Sequence, residues 1–157
     1  MRWTGLVRLA VGLAVLLVSF VTIRRLIGKT MFNQVRDFMV RAGIRLDTAN
    51  YIAAQSGHET GNFLSKIFRE NNNLFGMKLA LIRPTRATGK KYGHASYDTV
   101  EDSMEDYLLW ANFVDMPRSF RDPEEFVLWL KLKGYFEAPI EEYLEGVNHF
   151  LKLYSNV

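Results

Sequence analysis

Apolar positions along the chain change their period near residue 30. Residues 9–23 read LAVGLAVLLVSFVTI without a charge, and residues 3–7 extend that run past Arg8. From Asn33 the apolar positions take helical spacing. Val35, Phe38, Met39 and Ala42 share one face of a predicted helix over 33–42, which Gly43 stops. A second helix opens at Leu46-Asp47-Thr48, with Asp47 as the expected N-cap. Ala49, Ile52, Ala53 and Ser56 form its small inner face, Glu59 continues that face, and Gly61 ends the helix. Glu59 is therefore expected on the last turn, pointing inward.

The middle of the chain alternates over shorter distances. A helical turn is predicted over 63–68 and a polar loop over 71–76. Two short strands, 79–82 and 92–97, flank Thr88-Gly89-Lys90-Lys91, a connection long enough to be mobile at its tip. Asp98-Thr99-Val100-Glu101 reads as a capping box, with Asp98 as the cap of the helix that follows. Asp122-Pro123-Glu124-Glu125 combines a cap, a proline at the first helical position and acids in the first turn, and Gly134 stops that helix. Pro139 opens the last helix, with Ile140, Tyr143, Val147 and Phe150 on its core face. The predicted class is mostly α (α+β): a helical domain with one small β element, preceded by a hydrophobic N-terminal helix.

Length and charge refine this picture. The 157 residues suit one domain plus an appendage, read as a hydrophobic segment over 1–30 and a folded domain over 31–157. The formal charge of +3 is unevenly placed. The first thirty residues hold Arg2, Arg8, Arg24, Arg25 and Lys29 and no acid, a charge of +5, which leaves −2 for the rest. The folded part lacks a basic footprint, so no nucleic-acid partner is expected. The chain has no cysteine, which excludes disulfides and thiolate chemistry. Residues 3–23 are expected to contact a lipid membrane as an uncleaved anchor, with Arg8 snorkelling and Trp3 at the interface. A signal peptide is the rival reading, though no small-x-small site precedes Arg24-Arg25. A helix buried in an assembly is a third.

Candidate chemistry concentrates in Ala53-Ala54-Gln55-Ser56-Gly57-His58-Glu59-Thr60-Gly61 and in Asn71-Asn72-Asn73-Leu74-Phe75-Gly76-Met77-Lys78. A carboxyl group in a partly apolar pocket keeps its proton near neutral pH, because burial disfavours the charged form. Cleaving a glycosidic bond needs such an acid beside the leaving oxygen. Glu59 has that setting, with Phe63 and Phe75 close in sequence. The alternative, an exposed last-turn glutamate, sets a negative charge against the helix dipole. His58, His94 and His149 show no metal-ligand spacing. His58 lies about 100° round the helix from Glu59 and is expected to face elsewhere.

The ordered segments AAQSGHETGNF, ENNNLFGMK, YDTVEDSMEDYLLW and KGYFEAPIEEYLEGV resemble the glucosaminidases of glycoside hydrolase family 73, over residues 33–154. Four segments in this order are specific, where any one alone is weak. The resemblance implies a lysozyme-like fold and cleavage of the β-1,4 bond between N-acetylglucosamine and N-acetylmuramic acid in peptidoglycan. It implies Glu59 as the catalytic acid and Asn72, Asn73, Leu74, Phe75 and Gly76 as the loop beside it. Tyr97 and Asp106-Tyr107 match the later segment, and Tyr135 matches the C-terminal Gly-Tyr element. The expected substrate-binding set is Asn73, Phe75, Tyr92, Tyr97 and Tyr135. No cofactor and no metal are expected. The expected partner is the glycan strand, reached from a bacterial envelope or a phage virion, with virion proteins as further candidate partners.

One departure bears on mechanism. Some family members carry a second acid in the β element, whereas residues 78–96 here hold no Asp or Glu and five basic residues: Lys78, Arg83, Arg86, Lys90 and Lys91. A solvated basic loop is the expected placement, with contact to peptide-stem carboxylates as the functional alternative. Neither two-carboxylate route is secured by the sequence. Assistance by the substrate's N-acetyl group, a lytic transglycosylase reaction through the sugar's own 6-hydroxyl, and a non-catalytic wall-binding or structural role stay open.

Overall fold

No proline interrupts residues 3–41, so nothing in the backbone stops a helix where the apolar run gives way to the amphipathic segment. The computed structural model describes residues 3–155, with side chains from Val18 onward. The first helix, α1 (Trp3–Arg41), is continuous. The helix expected over 33–42 is its C-terminal part. Side chains change character along it. Val18, Phe20, Val21 and Leu26 are exposed, and packing begins at Gly28, followed by Phe32, Val35 and Met39 at spacings of four, three and four. Among the described residues no helix is long and apolar enough to cross a membrane. Most of the side chains on which the anchor expectation rests, residues 3–17, lie outside those described.

Helix α2 (Leu46–Glu59) packs against both α1 and the last helix, α6 (Ile140–Tyr154). Its N-cap is Arg45, without a side-chain cap bond. Asp47 lies inside the first turn, where its charge complements the helix dipole instead of capping. Small residues on α2 allow close approach: Ala49, Ala53 and Ala54 are fully buried beside Ile52. Helix α3 (Lys66–Asn71) starts later than expected. Asn62 and Phe63 both take positive φ, so helical geometry begins only after Ser65, whose hydroxyl accepts from the Phe68 N–H at 3.1 Å.

The β element is smaller and tighter than predicted. Strands β1 (Gly89–Lys91) and β2 (His94–Ser96) pair antiparallel with Lys90 opposite Ala95. The two-residue turn is Tyr92-Gly93, both at positive φ (54° and 80°), the geometry that matches the twist of a hairpin. Residues 79–82 are not a strand. Helix α4 (Val100–Phe113) is capped by Thr99, not Asp98, in a reciprocal box with Asp102. Helix α5 (Pro123–Leu132) begins as predicted, with the Asp122 carboxylate accepting from the Glu125 N–H at 2.8 Å. The result is a mostly helical α+β fold.

Candidate active site

Helix α2 delivers Glu59 to the mouth of a cleft. Thr60 caps the helix: its backbone N–H and its hydroxyl both return to the Ser56 carbonyl, at 3.1 and 2.6 Å. The chain then turns away through Gly61, Asn62 and Phe63, all at positive φ. The cleft measures about 680 Å³. Its other walls come from residues 75–78 and 80–83, the end of α4, and residues 134–138 ahead of α6.

Two contacts bracket the Glu59 carboxyl group. The Tyr143 hydroxyl on α6 donates to Oε1 at 2.5 Å. Gly76 lies against the other oxygen, where an added Cβ would stand 3.3 Å from Oε2, and its φ of +62° is one that glycine adopts freely. Burial raises the Glu59 pKa above the ordinary carboxyl range, and the Tyr143 hydrogen bond opposes this without reversing it. Tyr143 is itself pushed well up by burial and by the Glu59 charge, so it stays a donor. One turn earlier on α2, Gln55 accepts from the buried Tyr107 hydroxyl at 2.9 Å. His58 also lines the cleft, its ring edge-on to Tyr143 at 4.7 Å. The expectation that His58 faces elsewhere is corrected, because the helix ends at the cleft and both of its last residues border the opening.

The three consecutive asparagines are ties between this loop and the β element. The Asn71 amide donates to the Lys91 carbonyl at 2.8 Å, and the Asn72 amide to the Tyr97 and Asp98 carbonyls at 3.0 Å each. Asn73 is buried. Its amide donates to the Met77 and Ala95 carbonyls, while its oxygen accepts from the Phe75 and Met77 N–H groups. Asn73 thus sets the curvature that brings Phe75 and Gly76 to Glu59. His94 Nδ1 lies 2.8 Å from the Gly76 carbonyl.

A face of α4 fixes the opposite side. Ser103, Asp106 and Tyr107 are fully buried at i, i+3 and i+4. The Ser103 hydroxyl accepts from the Leu74 N–H at 3.0 Å. Asp106 accepts two bonds from the Arg83 guanidinium (3.1 and 2.9 Å), one from the Arg86 N–H and one from the Tyr97 hydroxyl. Burial would raise the Asp106 pKa, but these donors and Thr85 hold it below the usual value. Arg83 is almost wholly buried in this pair, so the expectation of a solvated basic loop fails there. Its methylenes and charge instead lock residues 83–86 onto α4.

Of the residues expected to bind substrate, Phe75 and Tyr135 reach the cleft. The Tyr135 hydroxyl donates to the Phe75 carbonyl at 2.7 Å, joining two walls. Asn73, Tyr97 and Tyr92 lie outside its lining. Tyr97 is spent on Asp106, and Tyr92 is at the exposed hairpin turn, donating to Glu70 Oε2 at 2.6 Å.

Comparison with known proteins gives a family match over most of the chain. The Glucosaminidase family, described as Mannosyl-glycoprotein endo-beta-N-acetylglucosaminidase, matches residues 36–156. The chain belongs to that family. It is also 39% identical to "Protein bax" of Escherichia coli (strain K12) over 70 residues, which cover 45% of this chain and 26% of that protein. No solved structure matches.

Three residues in or behind the candidate cleft escaped the sequence reading: Tyr143 and Glu137 line it, and Gln55 is buried behind it. Tyr143 reads as one more apolar position of the α6 stripe, and nothing in periodicity says that its hydroxyl reaches 84 residues back. Gln55 is a polar residue on an apolar face at i−4 from Glu59, a signal that was available. Glu137 lines the cleft from the 134–138 segment, in no regular element.

Proposed function

We propose that this glucosaminidase domain cleaves peptidoglycan glycan strands at the β-1,4 bond between N-acetylglucosamine and N-acetylmuramic acid, with Glu59 as general acid. The carrying observation is the Glu59 environment: a carboxyl group at a cleft mouth, raised in pKa by burial and oriented by Tyr143. In the protonated state it donates to the glycosidic oxygen as the bond to C1 breaks, and the departing sugar leaves as a neutral alcohol. Tyr143 holds the carboxyl group in one rotamer, and the Gly76 backbone leaves room for the reacting bond next to Oε2. Aromatic walls that keep exposed surface, Phe113 and Tyr135 among them, suit sugar faces, while Phe75 packs beneath them with its ring buried.

The decisive experiment is digestion of purified peptidoglycan followed by mass spectrometry of the fragments. Reducing N-acetylglucosamine ends are the expected result. Anhydromuramic ends would replace this reading with the lytic transglycosylase reaction.

A further inference from the structure

We propose, resting on the function above, that Glu137 is the second catalytic carboxylate of this cleft and acts as the general base that activates water. Among the described residues lining the cleft, Glu59 and Glu137 are the acids. The β element, spanning residues 78–96, offers none. The two carboxyl groups have the contrast that acid–base chemistry uses: Glu59 is shielded and raised in pKa, while Glu137 is exposed to water.

The segment that carries Glu137 has no regular structure, yet it is held at several points. Lys131 Nζ donates to the Glu137 and Ala138 carbonyls at 2.8 Å each, and the same ammonium lies 5.1 Å from the Phe136 ring centre. Phe136 stacks face to face on Tyr143, with centroids 3.8 Å apart and planes 4° from parallel. Tyr143 is the residue bonded to Glu59. One path therefore links the Glu59 carboxyl group to the Glu137 backbone: Glu59 to the Tyr143 hydroxyl, the Tyr143 ring to the Phe136 ring, and Phe136 to its neighbour Glu137.

Glu59 and Glu137 line the same cleft, and the Phe136–Tyr143 stack stands between the segments that carry them. A spacing with room for a water, roughly 6.5–9.5 Å between carboxyl groups, suits inversion, whereas a nucleophile needs about 5–5.5 Å. In the step, the oxygen of a water attacks C1 as the bond from C1 to the glycosidic oxygen breaks. The water's proton passes to Glu137, and the Glu59 proton passes to the leaving oxygen.

The test uses the full chain on peptidoglycan. E137Q is expected to lower kcat by about 10²-fold or more, with an unchanged circular dichroism spectrum, since the side chain is exposed. E137A supplied with sodium azide is expected to regain turnover and release an α-glycosyl azide, because azide needs no deprotonation. Proton NMR of wild-type digests should show the α anomer of the new reducing end first. E137Q turnover within about twofold of wild type overturns the role of Glu137 and leaves Glu59 standing. A β anomer released first overturns the base role. Anhydromuramic ends from wild type remove the hydrolytic step itself, and water activation with it.

Discussion

Glu59 at the end of α2 and Asp106 on α4 are both shielded carboxyl groups that accept a hydrogen bond from a tyrosine hydroxyl, yet their protons are held in opposite ways. Glu59 has Tyr143 as its hydrogen-bonding partner and apolar or aromatic neighbours otherwise, so desolvation dominates and its pKa rises. Asp106 has no solvent-exposed surface, but a guanidinium, a backbone N–H and Tyr97 all donate to it, and its pKa falls. Burial alone therefore does not mark the proposed acid. The count and charge of donors decide, and the carboxyl group left short of donors is the one that opens on the cleft.

The largest effect expected from breaking this contrast is in Glu59→Gln. Loss of the proton donor should lower kcat on peptidoglycan by on the order of 10²–10⁴. Stability should move the other way. A group whose folded pKa is raised contributes stability that is complete below its unfolded pKa and is lost as pH rises through the folded value. Glutamine lacks that loss, so the variant's melting temperature should equal or exceed that of wild type, by a margin that opens as pH rises above the unfolded value of about 4.3 and levels off above the folded one. A variant that keeps its activity would remove Glu59 from the chemistry.

Asp106→Asn should do the reverse. It leaves the Arg83 guanidinium buried without its partner, which costs about 3–5 kcal/mol, measured by urea unfolding. Because the folded Asp106 pKa is depressed, its contribution is present above the unfolded value of about 3.9 and is lost as pH falls through the folded one. Wild type should therefore lose stability on acidification below about pH 4, and Asp106→Asn should show a flatter acid limb. A fully stable variant would show that the Arg83–Asp106 pair does not hold residues 83–86.

The legibility of the two sites in sequence differs for the same physical reason. Helical stripes announce burial, so the α2 and α6 faces and the inward aim of Glu59 follow from spacing alone. Caps moved by a residue or two: at α4 two capping residues, Asp98 and Thr99, stand side by side, and at α2 the helix starts at Leu46 with no side-chain cap, leaving Asp47 in the first turn. The hairpin was misplaced because a tyrosine at positive φ, Tyr92, carries no turn signature. Long-range polar pairs are invisible to periodicity. Arg83 looked like a solvated charge, Tyr97 like a sugar platform, and Tyr143 like core.

Tyr143→Phe sharpens the comparison at Glu59 itself. The lost hydrogen bond stabilises the carboxylate, so its removal should raise the Glu59 pKa further. The basic limb of the pH–rate profile, where the acid loses its proton, should shift to higher pH, with kcat lowered by loss of orientation. A limb that stays in place, or moves down, would mean that another group sets it.

The smallest effect is expected from a third carboxylate that isolates burial as the variable. Glu70 has the same kinds of donor as Asp106, a cation and a tyrosine hydroxyl: Lys91 at 2.9 Å and Tyr92 at 2.6 Å. Those bonds lower its pKa, as they do for Asp106. The group is exposed, however, so water screens the pair and supplies replacement hydrogen bonds when it is broken. Glu70→Gln should leave the melting temperature unchanged, and it should leave KM unchanged too, since Tyr92 stands outside the cleft. A raised KM would place the hairpin turn on the path of the glycan and restore Tyr92 as a substrate contact. A marked loss of stability would show that donor chemistry outweighs burial, and that the difference between Glu59 and Asp106 needs no help from desolvation.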